Sequence, residues 1–293
     1  MVYIGQSVKR FEDPRLLTGQ GSFINDVKLQ GMLHAAVLRS PHAHARITSI
    51  DTAAARHLPG VVSVLTAADL EGVVEPVPTR QDAEADALQP PVHPVLARDK
   101  VCYAGQPIAI VVAQDPYLVR DAVALLQVDY APLPPVIDPL EAMQTDALIV
   151  HPELGTNIVL RTLNAGGDFE AALAQAEHVV RQRYRVQRLA PVPLETRGMV
   201  AHYQPQDDLL TVWDSTQHPH AVRDHLARVL HRPQSSVRVV APDVGGGFGE
   251  KGGLYPEEIA VSYLAILLGR PVKWVEERWE NMLAFHGRGH TVT

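Results

Sequence analysis

A glycine run interrupted by one phenylalanine, Gly245–Gly249, is the segment of this sequence best suited to approach a ligand closely. The β-branched stretch Val237–Val240 before it predicts a strand, and Pro256–Leu268 after it predicts a helix. Glycine tolerates positive φ and has no Cβ, so bare N–H groups in such a turn can bind a phosphate or another oxygen ligand. The spacing matches neither the dinucleotide fingerprint nor the phosphate-binding P-loop. A plain tight turn therefore remains the more common alternative.

A second polar segment, Asp214–Gln217, follows another predicted strand, Thr211–Trp213. The Gln217 amide is a neutral donor that can hydrogen-bond an oxygen ligand without protonating it. His218 and His220 flank this glutamine and could line the same pocket. On residue type alone, Gln217 is more often an ordinary polar residue at the end of a strand.

Two other groups invite a functional interpretation that the spacing does not favour. His42 and His44 alternate as metal ligands can, but no third ligand stands at a zinc-motif spacing, so we expect no direct metal site. Glu195 could lie near the ligand site. We expect it instead to be a structural partner of Arg197.

Six ordered blocks of the sequence resemble those of molybdenum hydroxylase large subunits, the xanthine dehydrogenase, aldehyde oxidase and aerobic carbon monoxide dehydrogenase family. The resemblance covers nearly the whole chain, and several blocks in order are harder to match by chance than one glycine loop. The blocks are Arg10–Gly21, Leu38–Ala45, Val101–Ala109, Pro193–Gly198, Asp214–Gln217 and Gly245–Gly249.

The resemblance implies a mixed α/β (α+β) fold, with an α/β hammerhead domain over residues 1–135 and the first part of a molybdopterin-binding domain over 136–293. In the family, the glutamine hydrogen-bonds an oxygen ligand of molybdenum and the glycine loop lies beside the metal and the substrate. We therefore expect Gln217 and the Gly245–Gly249 loop to meet at one pocket wall, with Phe248 at least partly exposed to that pocket and not in the core. The cofactor-binding residues implied here are Gln217, Gly246, Gly247, Phe248 and Gly249. The family's general-base glutamate would lie beyond residue 293, so no catalytic residue and no direct metal ligand is expected within this sequence.

The activity implied is hydroxylation of an aldehyde, an N-heterocycle or carbon monoxide, with water as the oxygen source. Gly252 stands where purine-hydroxylating members have a glutamate, which disfavours xanthine. The resemblance implies molybdenum–molybdopterin, in its cytosine dinucleotide form. Cys102 is the single cysteine, so this chain cannot hold [2Fe–2S] clusters. The resemblance therefore implies that the clusters and FAD are on a small iron–sulfur subunit and a medium flavin subunit.

Three alternatives stay open about what this chain is. It could be a split large subunit completed by a second polypeptide, a truncated product, or a non-catalytic binding or assembly subunit that retains the fold. In each case we expect the isolated chain to be inactive.

The composition excludes several classes of partner. A net charge of −7 argues against a nucleic-acid binder, and no apolar run reaches the length of a membrane span. One cysteine and no recognisable export signal favour the cytoplasm.

The periodicity places these segments on alternating strands and helices. A Pro-rich cluster, Ala131–Pro135, is expected to end regular pairing and to begin a boundary at about 131–150, with residues 1–130 as a separable unit. Residues 72–97 are expected to form a surface excursion. The other predicted strands are Gly31–Arg39, Ala45–Ile50, Val61–Leu65, Ile108–Ala113, Val128–Tyr130, Val179–Val186 and Val272–Val275. The other predicted helices are Thr52–His57, Pro116–Leu126, Asp168–Ala176 and Pro219–Leu230.

Overall fold

A computed structural model describes residues 3–79, 90–160, 166–284 and 287–292. The strands are β1 Leu33–Arg39, β2 Ala45–Asp51, β3 Val61–Thr66, β4 Lys100–Val101, β5 Pro107–Ala113, β6 Gln127–Pro132, β7 Tyr184–Leu189, β8 Gly198–Gln204, β9 Leu209–Asp214, β10 Val237–Val240, β11 Val272–Val275 and β12 Arg288–Val292. The helices are α1 Asp13–Leu17, α2 Ala53–His57, α3 Ala67–Leu70, α4 Leu118–Ala124, α5 Pro139–Ala142, α6 Phe169–Gln175, α7 Pro219–Val229, α8 Pro256–Leu268 and α9 Arg278–Ala284.

A seven-stranded mixed sheet in the order β10-β9-β8-β11-β1-β5-β3 carries most of the core. The pairs β9–β10 and β1–β11 are parallel, and the other neighbours are antiparallel. Helices α7 and α8 pack on one face, where Leu226 and Ile259 are fully buried. Helices α2 and α4 cover β3 and β5 on the other face, around Val111 and Val119. Because β5 is covered on both faces, all seven of its residues are buried, as its unbroken apolar sequence predicts.

Two smaller sheets complete the architecture: β4-β2-β6 and the antiparallel pair β7–β12. The prediction that the Pro-rich cluster cannot join a ladder is wrong at its first two residues. Ala131 pairs with Arg46 and Pro132 pairs with Ala45. Strand β6 is an edge strand, where the missing N–H of proline removes no pairing to a further strand.

The large sheet crosses the predicted boundary at 131–150. Strands β1, β3 and β5 precede it and β8 to β11 follow it, yet β1 pairs directly with β11, with Leu33 opposite Val272. The expectation that residues 1–130 form a separable unit is therefore wrong, because one hydrogen-bonded sheet contains both parts. The sequence could not show this pairing, since the two strands are more than 200 residues apart.

Most predicted elements are confirmed, α8 and β11 at both ends. Three differences stand out. Strand β7 begins at Tyr184 instead of Val179, and β8 and α9 were not predicted. The segment 72–97 is not a surface excursion at its ends, since Val77 and Val95 are buried in the main core; residues 80–89 lie outside the described part. No helix among the described residues is long and apolar enough to span a bilayer.

Candidate functional site

The parallel pairing of β9 with β10 brings the two polar segments together. The carboxyl ends of adjacent parallel strands emerge at one edge of a sheet, so the segment after β9 and the loop after β10 share that edge. There the Gly249 N–H donates to Gln217 Oε1 at 3.0 Å, and the Gln217 N–H donates to the Lys251 carbonyl at 2.8 Å. The predicted convergence of Gln217 with the glycine loop is confirmed.

Close approach explains three of the glycines in the loop. A Cβ at Gly245 would lie 2.5 Å from Glu195 Cβ, and one at Gly247 would lie 2.5 Å from Gln217 Cδ. A Cβ at Gly246 would meet the Phe248 ring at 3.0 Å, and φ there is +102°. A Cβ is excluded by space at Gly245, would displace the Gln217 carboxamide at Gly247, and is disfavoured by backbone conformation at Gly246.

The Phe248 residue adopts a conformation that non-glycine residues rarely take, with φ of 50°. Its side chain is 62% exposed and is therefore not a core residue, as expected, and its exposure to a ligand pocket stays a prediction. Backbone strain held at an exposed aromatic residue is typical of functional loops. The loop thus displays an aromatic face beside Gln217.

Hydrogen bonding fixes the orientation of the Gln217 carboxamide. The Gly249 N–H is a donor, so the atom that faces it must be the amide oxygen. Both N–H bonds of Nε2 then remain available, and no acceptor for them stands among the described residues. The side chain is exposed, so a ligand at this edge of the sheet can accept from it.

Glu195 anchors the loop from behind. It accepts hydrogen bonds from the Gly245 N–H at 2.8 Å, from Ser215 Oγ at 2.6 Å and from Lys251 Nζ at 3.0 Å. Burial acts to raise the pKa of Glu195, but these three donors outweigh it and lower the pKa. The expectation of a structural role is confirmed, but the expected partner is wrong: its cation is Lys251, not Arg197.

Arg197 belongs instead to a buried ionic cluster that the sequence did not reveal. Its guanidinium donates to Glu276 and lies 3.3 Å from Glu257, while Arg39 contacts Glu257 and Glu280, each at 2.6 Å. Burial acts to raise the pKa of Glu257, but the two arginines lower it to about 2. In sequence these residues look like ordinary surface charges, and only their convergence in the fold shows that they are buried.

Asp214, the last residue of β9, is a buried carboxyl without a compensating donor. Neither of its oxygens has a hydrogen-bond partner in the described part of the chain, and burial raises its pKa to about 7. A neutral carboxyl is favoured there because desolvation penalises its charged form.

The histidines considered as metal ligands, His42 and His44, and those considered as pocket residues, His218 and His220, lie in different environments. His44 Nδ1 lies 2.8 Å from the Pro134 carbonyl, and the His42 ring packs against Tyr130. Across residues 3–79, 90–160, 166–284 and 287–292, no group of three or more His, Cys, Asp or Glu residues could hold a metal ion. His218 is the residue before α7, and His220 is exposed on its first turn; their place in a ligand pocket stays a prediction.

A cleft of 1420 Å³ opens beside the loop. Gly249, Gly252 and Gly253 line one side, and His225 and Arg228 of α7 line another. Its size exceeds that of a usual small-ligand pocket. Gly249 is the residue that this lining shares with the glycine loop, and Gln217 lies outside the lining.

Comparison with known proteins identifies two domain families within the chain. Residues 18–134 match the aldehyde oxidase and xanthine dehydrogenase a/b hammerhead domain, and residues 150–293 match the molybdopterin cofactor-binding domain.

Curated relatives are similar over almost all of this chain but are much longer. The nicotine 6-hydroxylase large subunit of Paenarthrobacter nicotinovorans is 42% identical over 96% of this chain and 34% of its own length. The carbon monoxide dehydrogenase large chain of Afipia carboxidovorans is 41% identical over 95% of this chain and 35% of its own. The chain therefore spans about a third of the length of these relatives.

A solved structure of quinoline 2-oxidoreductase from Pseudomonas putida 86 superposes with a TM-score of 0.89 and 41% identity, covering 98% of this chain and 36% of that one. The two family matches, these relatives and the shared fold agree with one another. The chain belongs to the molybdenum-binding large subunits of the xanthine dehydrogenase, aldehyde oxidase and carbon monoxide dehydrogenase family.

Proposed function

We propose that this chain forms one wall of the molybdenum–molybdopterin site of an oxidoreductase that hydroxylates a small substrate with water as the oxygen source. The observation that carries the proposal is the contact between the Gln217 carboxamide and the glycine loop, which leaves Nε2 free to donate. We assign cofactor binding to Gln217 and to Gly246, Gly247, Phe248 and Gly249.

The residues present fit such a cofactor. The loop backbone can be approached closely because a Cβ at its glycines would fill the space, and an amide donor stands beside it. When bound, the cofactor would supply the two-electron redox chemistry and the oxygen transfer. The role of this chain is to bind and orient the cofactor and the substrate. Gln217 donates a neutral hydrogen bond to the cofactor, and Phe248 offers an aromatic face to the substrate.

Among the substrate classes, an N-heterocycle is the best supported. The relatives include a nicotine 6-hydroxylase, and the quinoline 2-oxidoreductase has the same fold at 41% identity. Gly252 presents no carboxylate at the place where purine hydroxylation would need one, and a Cβ there would only reach His218 at 3.8 Å. Carbon monoxide, the substrate in the name of another relative, and an aldehyde are the alternatives.

The finer features of the assembly belong to the same proposal. They are the cytosine dinucleotide form of the cofactor, a small [2Fe–2S] subunit and a medium FAD subunit. Relatives named as subunits of complexes and the single Cys102 support the two partner subunits, and the cytosine dinucleotide form is proposed from the family resemblance alone. We also propose a division into a hammerhead part, residues 1–135, and a cofactor-binding part, 136–293. A non-catalytic assembly subunit with this fold is the competing function.

Metal and pterin analysis of the protein purified from its native host tests the proposal. We expect molybdenum and pterin in equal amounts, and Gln217→Ala should lower kcat by about 10²-fold, as loss of one preorganised donor does elsewhere. The matched control is Gln204→Ala. Gln204 is the last residue of β8 and pairs with Leu209 at the start of β9, so it lies at the end of the strands away from Gln217. Absence of both molybdenum and pterin, or equal kcat for the two variants, would contradict the proposal.

A further inference from the structure

Three polar side chains form a closed triangle directly behind the glycine loop. Ser215 Oγ donates to Glu195 Oε2 at 2.6 Å, and Lys251 Nζ donates to the same oxygen at 3.0 Å and to Ser215 Oγ at 2.7 Å. Ser215 and Lys251 are each only 2% exposed. Buried polar groups that satisfy one another in this way are rigid, because any displacement leaves a donor or acceptor unpaired.

The triangle is hydrogen-bonded to both parts of the candidate site, the Gly245–Gly249 loop and the segment after β9. Glu195 Oε2 accepts from the Gly245 N–H at 2.8 Å, which fixes the start of the glycine loop. The backbone carbonyl of Lys251 accepts from the Gln217 N–H at 2.8 Å, which fixes the segment after β9. The Lys251 side chain is therefore linked to the glycine loop through Glu195, and its backbone carbonyl binds the segment after β9 directly.

A catalytic role for this serine–lysine pair does not fit the structure. Ser215 directs its proton to Glu195, and neither Ser215 nor Lys251 lines the neighbouring cleft. A nucleophile must be within reach of its substrate. Positioning is the role that burial and hydrogen bonding support.

We propose that Glu195, Ser215 and Lys251 act as a clamp that holds Gln217 and the Gly245–Gly249 loop at the spacing the cofactor requires, with Lys251 as its positioning residue. The inference rests on the proposed function for its ligand, but the clamp itself is defined by this chain alone. Lys251 is suited to the role because hydrogen bonds with an ionised partner are about twice as strong as those between two neutral groups.

Hydrogen exchange tests the clamp without reference to any cofactor. In Lys251→Met, the amides of Gln217, Gly245 and Gly249 should exchange at least about tenfold faster, because both hydrogen bonds from Lys251 Nζ are lost, while α8 stays protected. Lys251→Arg should restore part of the protection.

The matched control is Lys273→Met, because Lys273 is also buried and donates to the backbone carbonyls of Asn25 and Val27. It should speed exchange near residues 25–27 and leave the glycine loop unchanged. Unaltered exchange of the loop in Lys251→Met would overturn the clamp, as would equal loosening of the loop in both variants.

Cofactor retention tests whether the clamp holds the site at the spacing that the cofactor requires. Molybdenum per chain, followed over time in dilute urea, should fall about tenfold faster in Lys251→Met than in Lys273→Met. Equal loss from both variants would overturn the positioning role. If the unaltered protein contains no molybdenum, the proposed function fails, and the exchange experiment still decides whether the clamp exists.

Discussion

Adding one methyl group at Gly247 is the most direct test of the candidate site. An alanine Cβ would lie 2.5 Å from Gln217 Cδ and 2.7 Å from its Oε1, whereas ordinary contacts begin at 3.4 Å. Either the carboxamide or the loop must therefore retreat by about 1 Å. Gly247 is the informative position because, unlike Gly246 and Gly249, it does not have positive φ, so the substitution adds no backbone strain.

The expected cost differs between folding and function. Displacing the carboxamide breaks its hydrogen bond from the Gly249 N–H, which is worth about 0.5–1.5 kcal/mol. Since Gln217 is exposed, little packing is lost with it, and the free energy of unfolding should fall by no more than this. A misplacement of about 1 Å at a reacting site can lower turnover by about 10²-fold. Gly247→Ala should therefore impair activity far more than stability.

The assay compares Gly247→Ala with Gly166→Ala in the complete enzyme. Gly166 does not line the cleft, its φ is not positive, and a Cβ there meets nothing within 4 Å. Unfolding midpoints, molybdenum content and turnover of an N-heterocycle such as quinoline, with a dye as electron acceptor, are measured for both. Equal turnover would refute the reasoning, because the contact with Gln217 would then have no functional consequence.

Three further predictions concern charges outside the loop. Arg197→Met should lower the free energy of unfolding by roughly 3–5 kcal/mol in denaturant titrations, because it removes the cation paired with the buried Glu276 and one of the two paired with Glu257. The exposed control Arg10→Met should change it little, and equal effects would contradict the burial argument. The pKa of Asp214 is raised to about 7 from an ordinary 3.8, so the folded state keeps the proton of this carboxyl up to a higher pH than the unfolded state does. The contribution of Asp214 to stability is therefore lost as the pH rises from about 4 to about 7. Asp214→Asn should flatten this part of the profile of unfolding free energy against pH, and an unchanged profile would speak against it. Asp243→Asn removes the paired hydrogen bonds to Arg15 and should speed tryptic cleavage after Arg15, with no change in rate as the opposing result.

The sequence was informative where local pattern decides structure. Helix α8 was predicted at both ends because Pro256 opens it and Gly269, with φ of +57°, closes it. The convergence of Gln217 with the glycine loop was also predictable, from the resemblance to a family. No local signal could predict the β1–β11 pairing, which depends on residues distant in sequence.

The clamp and the buried ionic cluster show a second limit of prediction from sequence, the burial of charged residues. Lys251 follows the glycine loop as an ordinary charged residue would, and nothing in its neighbours indicates that it is 2% exposed. Glu257 stands in the first turn of a helix, where an acidic residue is favoured by the dipole alone. Its contacts with two arginines appear only when β1, β8 and α8 are assembled.

The cluster has a consequence for the site because of where its members lie. Arg39 ends β1, Glu257 begins α8, and Glu280 lies in α9, so its ion pairs join the part before residue 135 to the part after it. Buried ion pairs contribute little net stability but restrict geometry, since each guanidinium accepts few orientations of its carboxylates. Helix α8 begins only seven residues after Gly249. The same contacts that fix the start of this helix against β1 therefore fix where the glycine loop ends, and the placement of the site depends on directed charge pairs as well as on apolar packing.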